Sequence, residues 1–186
     1  MLTTGSLWLP AIIATVICFL GGSVLHMMLP LHRKDFGGLP DENAVLDALR
    51  KSGVGPGNYM FPYCTDMKAF KEPAFVAKLA SGPCGIMTLR KPGKVVMGPY
   101  LTKQLLFHLL VSFSLAYLSA LALEAGMEYM RVFRFVGTAA FLAYTAAIFP
   151  AAIWFHEPRN VVAGKVIDGA VWGLLTAGSF AAFWPA

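Results

Sequence analysis

Apolar residues fall into four long runs, and one polar stretch separates the first run from the other three. The runs cover 7–29, 105–123, 135–155 and 161–184. Each is close to the roughly 20 residues that cross a ~30 Å hydrocarbon core. The pattern predicts an all-α membrane protein in which residues 1–29 hold transmembrane helix 1, residues 30–103 a small α+β extramembrane cap, and residues 104–186 a three-helix transmembrane block. Short connections around 124–134 and 156–160 make the last three helices antiparallel neighbours. Pro30 ends the first helix, because proline restricts the residue before it. Gly21 and Gly22 allow close helix approach. Small residues recur every four positions in the third run (Ala139, Ala143, Ala147, Ala151) and in the fourth (Gly169, Gly173, Ala177, Ala181). In lipid such ridges permit tight van der Waals packing, either inside the bundle or against another subunit.

Inside the polar stretch, 41–51 reads as an amphipathic helix with Val45, Leu46 and Leu49 on one face. Asp41 and Glu42 suit its positive end and Gly53 its C-terminal stop. Residues 53–62 read as a turn-rich loop, and 73–80 as a short helix closed by Gly82. Residues 86–89 and 94–97 flank Arg90-Lys91-Pro92-Gly93 and read as a hairpin.

Composition strengthens the membrane reading: 57% of residues are hydrophobic, only 13% are charged, and the mean hydropathy is +0.62. The polar stretch carries eleven of the fifteen basic residues and six of the ten acidic ones, which accounts for the formal charge of +5. That excess lies beside the bilayer, so anionic lipid headgroups are the expected partner and nucleic acid is not. Arg33, Lys34, Arg90, Lys91, Lys94, Lys103, Arg159 and Lys165 fall on the cap side of the spans, against Arg131 and Arg134 on the other. The positive-inside rule then places the cap in the cytoplasm and both termini outside. Residues 1–6 lack the basic residues of a secretory leader, so the first run reads as a retained anchor. Cys64 and Cys84 are reduced thiols under this topology and a disulfide candidate if the cap faces outward.

Candidate chemistry is confined to a few polar groups. His26, His108 and His156 all fall at the cap-side level, with His32 just beyond Pro30 and Asp168 in the first turns of the fourth run. Imidazoles from facing helices are what a haem b iron or a transition metal requires, and a nearby carboxylate can orient them or relay protons. A plainer reading makes the histidines interfacial and pairs Asp168 with Lys165, three residues earlier on nearly the same face. No nucleophile–base pair, nucleotide loop or CxxC spacing is present, which weighs against an enzyme.

The segments HMMLPLHRKDFGGLPDENAVLDALR, YMFPYC, GPCGIMTL and IDGAVWGLLTAGSFAAFWP resemble a group of small bacterial four-span inner-membrane proteins of no known activity. The resemblance implies the same layout with a cap between the first two spans, and assigns no residue a role. Two functions from different classes follow. One is a non-catalytic accessory or structural subunit of a larger complex of membrane proteins. The other is a redox protein binding haem, metal or quinone through His26, His108, His156 and Asp168. If haem is the ligand, the purified protein shows a Soret band that disappears in His108→Ala; an accessory subunit shows no such band.

Overall fold

The computed structural model describes residues 2–186 and divides into two compact units. One comprises the chain up to Gly37 together with Val96–Ala186; the other is Gly38–Val95. The first unit contains four helices long and apolar enough to cross a membrane. Helix α1 spans Trp8–Met27 and follows a 3-10 turn at Thr4–Leu7, whose start is closed by reciprocal Thr3 and Ser6 hydrogen bonds. Helix α4 (Met97–Ala122) begins earlier than hydropathy alone places it. Pro99 falls in its first turn, where a missing N–H has no carbonyl to lose. The third apolar run is divided into α5 (Tyr129–Thr145) and α6 (Ile148–Phe155), and the fourth forms α7 (Arg159–Ala182). The division follows from Pro150, which cannot donate to the Ala146 carbonyl and crowds it.

Helix α7 is the axis of this unit: its most extensive partner is α5, and α1 packs against both α7 and α4. The predicted ridge of α7 is the contact surface, with Gly169, Gly173, Ala177 and Ala181 all buried. A Cβ on Gly173 would lie 3.3 Å from the Phe141 backbone nitrogen, and one on Gly137 would lie 3.1 Å from the Ala177 methyl. The predicted ridge of the third run is not its counterpart. Val132, Val136, Ala140 and Tyr144 form the covered face of α5, while Ala143 and Ala147 remain exposed. Gly21 and Gly22 do meet α7 closely, facing Leu175 and Trp172. The outer flanks of the helices carry exposed Leu20, Leu110, Leu121, Ile153 and Trp154. Apolar surface of that kind marks a face that water does not solvate well.

The second unit contains α2 (Glu42–Lys51), β1 (Gly57–Phe61), α3 (Pro73–Ser81) and β2 (Gly85–Leu89). Asp41 caps α2 by accepting from the Ala44 N–H at 3.1 Å, and Gly53 and Gly82 take the positive φ that ends each helix. The hairpin expected from residues 86–89 and 94–97 does not form. β2 pairs antiparallel with β1, which the sequence presented as a loop. Alternate side chains of 57–61 are hidden among glycines and prolines, and their partner lies beyond α3. Gly85 is required opposite Phe61, whose ring would sit 3.1 Å from an added Cβ. Cys64 and Cys84 are free thiols.

The close approach of α7 to α5 predicts that Gly173→Leu destabilises the helical unit by about 1–3 kcal/mol, the usual range for overpacking. Gly178→Leu, which meets open space, should leave the thermal transition in detergent almost unchanged. Equal shifts for the two variants would contradict the packing described.

Candidate metal centre

The site is built on the end of α1 and the turn that follows it. Leu29, preceding Pro30, is extended (φ −90°, ψ 147°), so α1 cannot continue. Pro30–His32 then closes a 3-10 turn. This swings the His32 ring back over His26: the two rings stack with centroids 4.1 Å apart and planes 15° from parallel. The turn is held against α7 at two points. His32 Nε2 lies 3.1 Å from Asp168 Oδ1, and the Asn160 side-chain amide donates to the Lys34 carbonyl at 3.3 Å. Gly164, one turn before Asp168, makes the first contact possible, since a Cβ there would come within 3.2 Å of His32 Cε1.

Asp168 therefore does not pair with Lys165, as its spacing suggested. Lys165 turns back to Glu157, with both carboxylate oxygens 2.7 Å from Nζ. Asp168 takes His26 Nε2 at 3.2 Å on one oxygen and His32 Nε2 on the other. Its side chain is 5% exposed, roughly 13 Å along α7 from Arg159 at 1.5 Å per residue. The nearby lysine is long and flexible enough to reach Glu157, just before the start of α7, while two imidazoles already stand beside the carboxylate.

A fourth residue completes the cluster. Asp35 Oδ2 sits 2.7 Å from His32 Nδ1. Both nitrogens of His32 thus face carboxylate oxygens, which only accept, so His32 is an imidazolium donating at both ends. Burial opposes that charge, but the hydrogen bonds to Asp35 and Asp168 outweigh it and hold the pKa above its ordinary 6.5. His26 faces a single carboxylate oxygen, Asp168 Oδ2.

Among the described residues, His26, His32 and Asp168 form the one group whose ligand-type atoms all lie within 4.8 Å of one another. If a divalent cation bound both Nε2 atoms, with His32 having released its Nε2 proton and His26 carrying its proton on Nδ1, two neutral imidazoles and two carboxylates would balance its charge. His32 would retain its Nδ1–H bond to Asp35, the carboxylate–histidine–metal arrangement that orients and strengthens a ligand.

The other two predicted histidines are elsewhere. His108 is fully buried, with Nε2 accepting from the Gln104 amide at 3.0 Å and Nδ1 3.3 Å from the Tyr144 hydroxyl. Its ring packs edge-on against Trp172. Nε2 is used within α4 and Nδ1 in joining α4 to α5, so His108 is a packing residue with satisfied polarity. His156 ends α6 in the left-handed conformation (φ 53°) and is exposed. The single layer of imidazoles expected from depth alone resolves into one cluster and two separate residues. His32 lies just beyond that layer in the sequence, but no helical spacing marks it as a ligand, and nothing in the sequence marks Asp35. No known protein family, curated protein or solved structure matches the chain.

The pairing of His32 gives stability a definite pH dependence. A group whose pKa is raised on folding contributes fully below its unfolded value, near 6.5, and loses that contribution as pH rises through the folded value. In protein kept free of metal by a chelator, the thermal midpoint should fall as pH rises above 6.5. His32→Ala should start lower and lose most of this slope, and an unchanged slope would show that another group is responsible.

Proposed function

We propose that the protein is an integral membrane protein that binds one divalent first-row transition-metal ion through His26, His32 and Asp168. The observation that carries this reading is the convergence of two imidazoles on one buried carboxylate, with Asp35 behind the second ring. An isolated carboxylate within a membrane helix costs about 2.5–3.5 kcal/mol at mid-span, and such groups generally mark functional sites. Nitrogen donors favour zinc, iron, nickel or copper over magnesium or calcium. Three protein ligands leave further coordination positions open, the property that separates catalytic and transport sites from closed structural ones. A bound metal would supply Lewis acidity or redox chemistry there, while the protein fixes the rings and retains the Nδ1 proton of His32. The four apolar helices support multi-pass membrane insertion, and the basic excess of the 30–103 stretch supports its placement in the cytoplasm of a bacterial cell.

A second reading has its own observation. Ala143 and Ala147 present a smooth, exposed strip on α5 and the segment after it, which suits contact with another membrane subunit. The two readings are compatible, since a metal-binding subunit can also belong to a larger assembly.

Titration with Co²⁺ tests the metal reading directly. The purified full-length protein should bind one equivalent with visible d–d absorption, and metal analysis should confirm the ratio. His26→Ala, His32→Ala and Asp168→Asn should abolish binding, and Asp35→Asn should weaken it about 10–100-fold. His108→Ala should bind as the wild type does. Absence of stoichiometric binding, or equal loss in His108→Ala, would overturn the assignment.

A further inference from the structure

The metal reading leaves one adjoining feature unused. A pocket of about 320 Å³ opens between α1 and α4, with Trp172 of α7 at its floor, and His26 lies on its wall. Its apolar lining includes Phe19 and Leu101, and its polar lining includes His26, Tyr100 and Gln104. With His26 Nε2 committed to Asp168 and the Gln104 amide nitrogen to His108, His26 Nδ1, the Tyr100 hydroxyl and the Gln104 carbonyl oxygen remain without a partner among the described residues. The indole N–H of Trp172 is buried and also finds no acceptor. A buried indole N–H is normally hydrogen-bonded, and an exception calls for an explanation. Gly22 is what lets the indole approach α1, since a Cβ there would lie 3.2 Å from Nε1.

We infer that this pocket is a binding site for the ring of a lipid-soluble quinone or quinol. The class is chosen by elimination on the lining itself. An acyl chain would fill the volume but leave His26, Tyr100 and Gln104 without partners. A phospholipid headgroup would need a cation for its phosphate, and the lining contains neither Lys nor Arg. A flat ring with oxygens on opposite edges meets both requirements, since the lining offers the aromatic side chains of Phe19 and Trp172 together with the polar groups of His26, Tyr100 and Gln104. The pocket falls within the usual size of small-ligand sites, roughly 300–1,000 Å³. An apolar tail would leave along α1 and α4, whose outward residues include Leu20 and Leu110. Placing the ring against His26 names a substrate class for the metal centre and in that respect rests on the metal reading; occupancy of the pocket does not.

Native mass spectrometry of the full-length protein in detergent, with a short-tailed ubiquinone analogue, provides the test. The expected result is a one-to-one adduct that excess phosphatidylcholine does not displace. Gln104→Leu and Tyr100→Phe should each reduce the adduct several-fold, and Gly22→Leu, which narrows the pocket, should abolish it. Gln104→Leu and Tyr100→Phe keep the test informative if Gly22→Leu does not fold. His32→Ala, lacking the proposed metal, should keep the adduct. If the wild type binds Co²⁺ but forms no adduct, or if phosphatidylcholine competes equally, the quinone inference fails and the metal reading stands. If the adduct forms without Co²⁺ binding, the pocket stands and the metal reading fails.

Discussion

A carboxylate on the inward face of a long apolar helix must find compensation nearby, and in this chain Asp168 finds it in two imidazoles from a different part of the sequence. The requirement has structural consequences beyond the contact itself. His26 can reach Asp168 only if α1 lies along α7, and His32 can do so only if the chain turns back sharply after Met28. Pro30 supplies that turn and Gly164 supplies the room for the ring. The polar contact and the helix packing are therefore a single arrangement: the small residues that bring α7 close to its neighbours also keep the carboxylate away from water.

The same economy explains the separate treatment of the other polar groups. His108 sits within the bundle but satisfies both ring nitrogens with Gln104 and Tyr144, so it adds specificity to the packing of α4 on α5 without offering a free ligand atom. Cys18 likewise spends its thiol on Thr176 and the Trp172 carbonyl. Lys165 is neutralised by Glu157. Against this background of satisfied groups, the atoms left over are informative. Ser112 and Ser119 on α4 hold two of them, and the Trp172 indole N–H, beside the pocket lined by His26 and Gln104, is another.

The Asp35–His32–Asp168–His26 sequence of contacts also has a chemical logic of its own. It alternates acceptors with groups that can either hold or release protons, and it is only partly enclosed, with His26 48% exposed and Asp168 nearly covered. The outermost carboxylate, Asp35, fixes which nitrogen of His32 faces inward.

The four apolar runs, the helix stops at Gly53 and Gly82, and the close-packing ridge of α7 are legible in the chain, because each depends on neighbours within a few residues, whereas Asp41, which reads there as part of the helix, is its cap. Position along the apolar runs also places Asp168 and His26 at the same level. The break before Pro150 is local in cause, but hydropathy does not register a missing hydrogen bond inside an unbroken apolar run. Two features were decided only by the tertiary fold. The pairing of β1 with β2 joins segments on either side of a helix, so no local alternation revealed it. The partners of Asp168 depended on a turn and a glycine far apart in sequence, whereas spacing along one helix favoured Lys165. Periodicity reports which face of an element is buried, but the identity of what meets that face is set by distances that exist only after the helices have packed.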